Sequence, residues 1–173
     1  VPNPYDPSKP SVFVDWQAHG WVDMRHAISV SSDIYFYEVG GGYGDQKGLG
    51  IANIEKYARM FGFGTTTGSG LLGEASGIIP SPEWKERVFG DMWRVGDTYN
   101  TAIGQYGFQV TVLQAVRATA AIANGGKLIA PLLEKGSVSS KGVTTLPFKE
   151  KDLTVVREGM LLSATEGTAK GLA

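Results

Sequence analysis

The chain has 173 residues, of which 42% are hydrophobic, 10% aromatic and 19% charged. That balance excludes a disordered polar chain and fits one globular unit with a sizeable core. Sixteen Lys and Arg against 17 Asp and Glu leave a net charge of -1, too little to draw the chain to nucleic acid or anionic lipid. The absence of cysteine excludes disulfides, thiol catalysis and thiolate metal sites, and no apolar run is long enough to span a bilayer.

Residues 1–20 are proline-rich and read as an extended lead-in to a unit covering 21–173. From Val22 to Val39 the pattern is helical, with Ala27, Val30, Ser31, Ile34, Tyr35 and Glu38 on one face, until Gly40, Gly41 and Gly42 stop it. A second helix is expected from Leu49 to Met60. The glycine- and threonine-rich stretch 62–80 breaks regular structure. Ser81 as N-cap and Pro82 at the first position open a short helix toward Val88. Thr111 to Asn124 is a helix with Val112, Leu113, Val116, Ala120 and Ala123 on one side, stopped by Gly125 and Gly126. Lys127–Leu132 and Gly142–Leu146 suit short strands. A last helix runs from Leu153 to Ala164, with Val156, Met160 and Ala164 facing inward.

Several candidate sites fail on physical grounds. Gly68 to Gly73 matches the glycine spacing of a dinucleotide loop, but no strand precedes it and no helix follows, so no helix N-terminus would meet a phosphate. His19 and His26 lack metal-ligand spacing and read as structural residues. The four tryptophans are scattered and suit packing. No cofactor or metal is expected.

The segment from Ala27 to Tyr37 is different. A hydroxyl at Ser31 interrupts an apolar stripe, and the Asp33 carboxylate lies two positions on. In an unbroken helix these groups would point roughly 200° apart. Ser29, Ser31 and Ser32 weaken a helix by competing for backbone partners. Two readings stay open: a break that turns Ser31 and Asp33 to one side, or a plain N-cap at Ser31 or Ser32 starting a helix at Asp33.

Ser31-Ser32-Asp33 followed by Ile34-Tyr35-Phe36-Tyr37 resembles the second motif of the penicillin-recognising serine enzymes, whose three motifs are S-x-x-K, S-x-N/D and K-[ST]-G. Other stretches resemble elongation-type class B penicillin-binding proteins in the same order: Gly77 to Pro80, Glu83-Trp84-Lys85, Gly96-Asp97-Thr98 and Ala102 to Gln105. Gln114, Asn124-Gly125-Gly126 and Glu166 to Ala169 complete the series. No serine is followed three positions on by lysine, and K-[ST]-G does not occur. The chain is therefore expected to be the central part of a transpeptidase domain, starting after the nucleophile motif and ending before the K-[ST]-G strand.

The resemblance implies a mainly α (α+β) fold, the helical subdomain of the β-lactamase/transpeptidase-like fold with a few short strands. It implies a parent D,D-transpeptidase that cross-links peptidoglycan stem peptides through an acyl-serine and is acylated by β-lactams. Ser31 would belong to its proton relay, Asp33 would orient substrate or pair with lysines of the other motifs, and Gly104 and Gln105 would support the cleft wall. The parent would act outside the cytoplasmic membrane, held by an N-terminal anchor. The isolated fragment is expected to be inactive and to self-associate through exposed apolar patches. The competing expectations are a non-catalytic helical module that binds a partner or peptidoglycan, and a serine β-lactamase or penicillin-sensing relative.

Overall fold

Capping side chains decide where most helices begin. In the computed structural model, which describes residues 1–3, 5–134 and 142–172, Asp23 caps α1 (Met24–Val30) by accepting from His26 N–H at 2.9 Å. Ser32 caps α2 (Asp33–Gly41) by accepting from Tyr35 N–H. α3 covers Ile51–Met60, and Ser81 with Pro82 opens α4 (Pro82–Phe89). α5 (Val95–Ala102) follows, then α6 (Val112–Ala123), where Thr111 and Gln114 form a reciprocal capping box. β1 (Lys127–Ile129) pairs antiparallel with β2 (Val143–Thr145), Leu128 opposite Thr144. α7 (Glu150–Thr165) and a 3₁₀ turn at Lys170–Leu172 close the chain. The mainly helical architecture with two short strands matches the expectation from sequence.

Three differences are instructive. α5 has poor intrinsic propensity, with Gly96, Thr98, Asn100 and Thr101 inside it, and tertiary contacts override that weakness. Asp97 Oδ2 accepts from Arg94 N–H at 2.7 Å, which caps the helix, and from Lys85 Nζ at 2.7 Å, which ties it to α4. On α6 the expected apolar side is largely the outer one: Val112 and Val116 are exposed, while Gln114, Ala118 and Ala121 are buried. Gln114 selects this face because its amide donates to the carbonyls of Thr65 and Ser76 and accepts from Thr111 N–H. On α7 Met160 likewise faces out, and Leu153 and Gly159 face in.

Packing then places the turn between α1 and α2. α1 lies on α7, and α2 lies on α5. The α2–α5 approach needs glycine. A Cβ on Gly40 would lie 2.4 Å from Ala102 Cβ, and one on Gly41 would lie 2.3 Å from the Tyr99 ring. Phe13, from the lead-in, meets Tyr37 and Tyr99 edge-on at centroid distances of 5.6 and 5.0 Å. Ala121, Leu128 and Leu146 form a further core, covered by Met60, Phe61 and Phe148. Among the described residues no helix is long and apolar enough to cross a membrane.

Candidate functional site

The helical pattern from Val22 to Val39 is broken at Ser31, which takes left-handed backbone angles (φ 56, ψ 50) as the C-cap of α1. Such a conformation is costly for a residue with a Cβ and persists only where its surroundings enforce it. Here they account for the free carbonyls at the end of α1. Ser32 N–H donates to Ala27 C=O at 2.9 Å, and Thr168 N–H donates to Ser29 C=O at 3.0 Å. The Trp16 indole N–H is shared between the carbonyls of Val30 and Ser31, 3.1 Å from each. The break and the N-cap that the sequence offered as alternatives are thus both present, one at each serine. Ser31 makes the break, and Ser32 is the buried N-cap of α2.

The reversal leaves Ser31 exposed, with its Oγ 2.9 Å from Thr168 Oγ1, a hydroxyl brought from 137 positions away. Asp33 is half-buried at the first turn of α2. Beneath this turn lies Asp15, which accepts from Ser32 Oγ at 2.7 Å, Asp33 N–H at 3.2 Å, Ile34 N–H at 3.3 Å and Trp16 N–H at 2.9 Å. Burial opposes the Asp15 charge, yet these donors, Ser32 foremost, hold its carboxyl below the ordinary range. For Asp33 the balance runs the other way. Burial and repulsion from Asp15 raise its carboxyl, and His19 offsets this only in part. The His19 side chain is buried, with Nδ1 3.5 Å from Gln17 Nε2 and Nε2 3.6 Å from Asp15 Oδ1 but without a hydrogen-bond partner.

Asp15 is expected to stabilise α2 through charge at its N-terminus as well as through hydrogen bonds. Asp15→Asn should cost about 1 kcal/mol at neutral pH. Because the folded carboxyl titrates below its ordinary value, this contribution is present above that value and is lost as pH falls through the folded pKa. Urea titrations at pH 7 and below pH 4 should show the gap between wild type and D15N closing with acid.

Of the residues singled out from sequence, Ser31 and Asp33 share one turn. Gly104 and Gln105 are exposed just beyond α5, whose end packs on Gly40, near the far end of α2 from Asp33. Sequence reasoning missed Asp15, Trp16 and Thr168. The first two fall in a lead-in without helix or strand, and the third acts across the whole length of the chain. The glycine loop at 68–73 is confirmed as a connection: Glu74 folds beneath it and accepts from Thr67 N–H and Ser69 Oγ. Among the described residues no group of three His, Cys, Asp or Glu side chains is arranged to hold a metal.

The family described as the penicillin binding protein transpeptidase domain matches residues 2–173. The chain belongs to the penicillin-binding protein transpeptidase family. It is 34% identical over 171 residues to the peptidoglycan D,D-transpeptidase MrdA of Acinetobacter baumannii, covering 92% of this chain and 25% of that protein. Among solved structures it is similar to the penicillin-binding protein PBP2 of Helicobacter pylori, with 37% identity and a TM-score of 0.77, covering 89% of this chain and 28% of that one. Pseudomonas aeruginosa PBP2 in complex with WCK 5153 is 30% identical with a TM-score of 0.79, covering 95% and 37%. The chain therefore spans about a quarter of the length of the curated relatives it matches, and the elongation-type resemblance read from its motifs is borne out.

Proposed function

We propose that these residues are the central part of the transpeptidase domain of an elongation-type peptidoglycan synthase, acting outside the cytoplasmic membrane. The observation that carries this reading is the enforced reversal at Ser31, which leaves its hydroxyl exposed at the turn that opens α2, two positions before the half-buried Asp33. In the complete protein, the serine of an S-x-x-K segment attacks the carbonyl carbon of the D-Ala-D-Ala amide. An acyl ester forms, and the amide C–N bond breaks. The leaving amine needs a proton, and Ser31 relays it from the lysines of the other two motifs. Asp33, ionised, can only accept hydrogen bonds, so its role is to pair with one of those lysines. The amine of a second stem peptide then displaces the serine and completes the cross-link. A β-lactam enters by the same attack, its ring amide opening to leave the ester in place. The Helicobacter pylori relative has been solved with MreC, and a partner of that kind is part of this reading.

Labelling with a fluorescent penicillin tests the proposal. The complete protein should label at one serine outside these residues, and Ser31→Ala should slow labelling at least roughly tenfold, about 1.4 kcal/mol of lost relay. The 173-residue chain should stay unlabelled, because it holds no S-x-x-K. Labelling within this chain would show a nucleophile here and overturn the assignment. No labelling of the complete protein would favour a non-catalytic peptidoglycan-binding module.

A further inference from the structure

We infer that Thr168 is a positioning residue for Ser31, fixing the direction of its hydroxyl proton so that the oxygen lone pairs face the approaching cation. The inference rests on the functional reading above and adds to it a residue that works only through Ser31.

The argument is an accounting of donors and acceptors. The carbonyl of Ser29, the last residue but one of α1, has no partner within its own helix. It receives Thr168 N–H at 3.0 Å and lies 3.3 Å from Thr168 Oγ1, within reach of the hydroxyl proton. A carbonyl can only accept, so in this contact the Thr168 hydroxyl is the donor, and we assign its proton to it. Its lone pairs are then left for Ser31, whose Oγ lies 2.9 Å away. Between two hydroxyls one must donate. With the Thr168 proton committed to Ser29, the Ser31 proton points to Thr168, and the Ser31 oxygen keeps its lone pairs for a donor from outside. Ser163 Oγ, 3.5 Å from Thr168 Oγ1, is too distant to compete with the 2.9 Å contact.

The arrangement suits the relay. An ammonium group has three donors and no acceptor, so before the reaction it is met by a hydroxyl oxygen whose own proton points to Thr168; as the Ser31 oxygen takes a proton from the ammonium, its own proton leaves Thr168 for the leaving amine. Were the Ser31 hydroxyl free to rotate, its proton would face the cation for part of the time. The backbone contributes the same order. The left-handed turn at Ser31 is pinned on one side by Trp16 and on the other by the Thr168 segment, so both hydroxyls are fixed relative to one carbonyl.

The test is the second-order rate of acylation of the complete protein by a fluorescent penicillin. It compares wild type, Thr168→Val, Thr168→Ser, Ser31→Ala and the double variant S31A/T168V, with thermal unfolding run alongside. T168V removes the hydroxyl at nearly constant volume and should slow acylation about tenfold, the loss of one well-directed hydrogen bond. T168S should stay within about twofold of wild type, and in the S31A background T168V should change the rate no further. A T168V rate equal to wild type, a T168S variant as slow as T168V, or full additivity with S31A would each overturn the inference. Should T168V not fold, Thr168→Ala takes its place with the same expectations, and failure of both to fold would assign Thr168 a structural role only. If wild type is not acylated, the functional reading fails. If wild type is acylated and S31A is slow while T168V is normal, only the positioning role fails.

Discussion

Lys85→Met should cost about 3–5 kcal/mol of folding stability, enough to leave a domain of ordinary stability close to unfolding. The Lys85 side chain is only 6% exposed, with Nζ 2.7 Å from Asp97 and 3.1 Å from Asp91, and Arg94 pairs with Asp91 from the other side. Burial alone would push the ammonium down, but the hydrogen bonds it donates to Asp97 and Asp91 outweigh this and hold Lys85 above its ordinary value. Methionine fills the space and removes the charge, which strands the Asp97 carboxylate in an interior that cannot solvate it. Asp91 suffers less because it keeps Arg94. The comparison that isolates the cause is K85M with D97N, which should regain part of the loss by removing the orphaned charge. Urea unfolding midpoints measure both. A loss below 1 kcal/mol for K85M would mean that water reaches Asp97.

That ion pair also shows what the sequence could and could not reveal. Glu83-Trp84-Lys85 and Gly96-Asp97-Thr98 stood out as stretches resembling one family, without a reason for their being there. The structure supplies one: they are the two ends of the tie between α4 and α5, and α5 in turn seats α2 through Tyr99. Helix starts at Ser81 and Thr111 were legible because a capping side chain acts on amides two or three residues away. The α5 helix was not, since its stability comes from an acid and a lysine 12 positions apart. The outer and inner sides of α6 were exchanged for a related reason. Periodicity counts apolar residues, whereas Gln114 is buried by hydrogen bonds to carbonyls 49 and 38 positions back. At the site itself, the three close serines signalled a break. The groups that hold it open come from Asp15, Trp16 and Thr168, and only folding brings them together.

Gly167→Ala should be as informative at the site as K85M is in the framework. A Cβ on Gly167 would stand 2.1 Å from Ser29 C=O and 2.6 Å from Ser29 Oγ. Two of the three nearest atoms are backbone at the end of α1, so no side-chain rotation relieves the clash. The 166–169 segment must move off α1, and Thr168 moves with it. Overpacking of this kind costs about 3 kcal/mol. The functional consequence should exceed the stability loss, because Ser29 C=O loses the Thr168 N–H and Ser31 loses the hydroxyl that directs its proton. At a temperature where G167A is still folded, penicillin acylation of the complete protein should therefore fall at least as far as in T168V. Near-normal acylation by a folded G167A protein would show that the turn holds its shape without the 166–169 segment. The control of Ser31 would then rest with Trp16 and Asp15, which grip the turn from its other side.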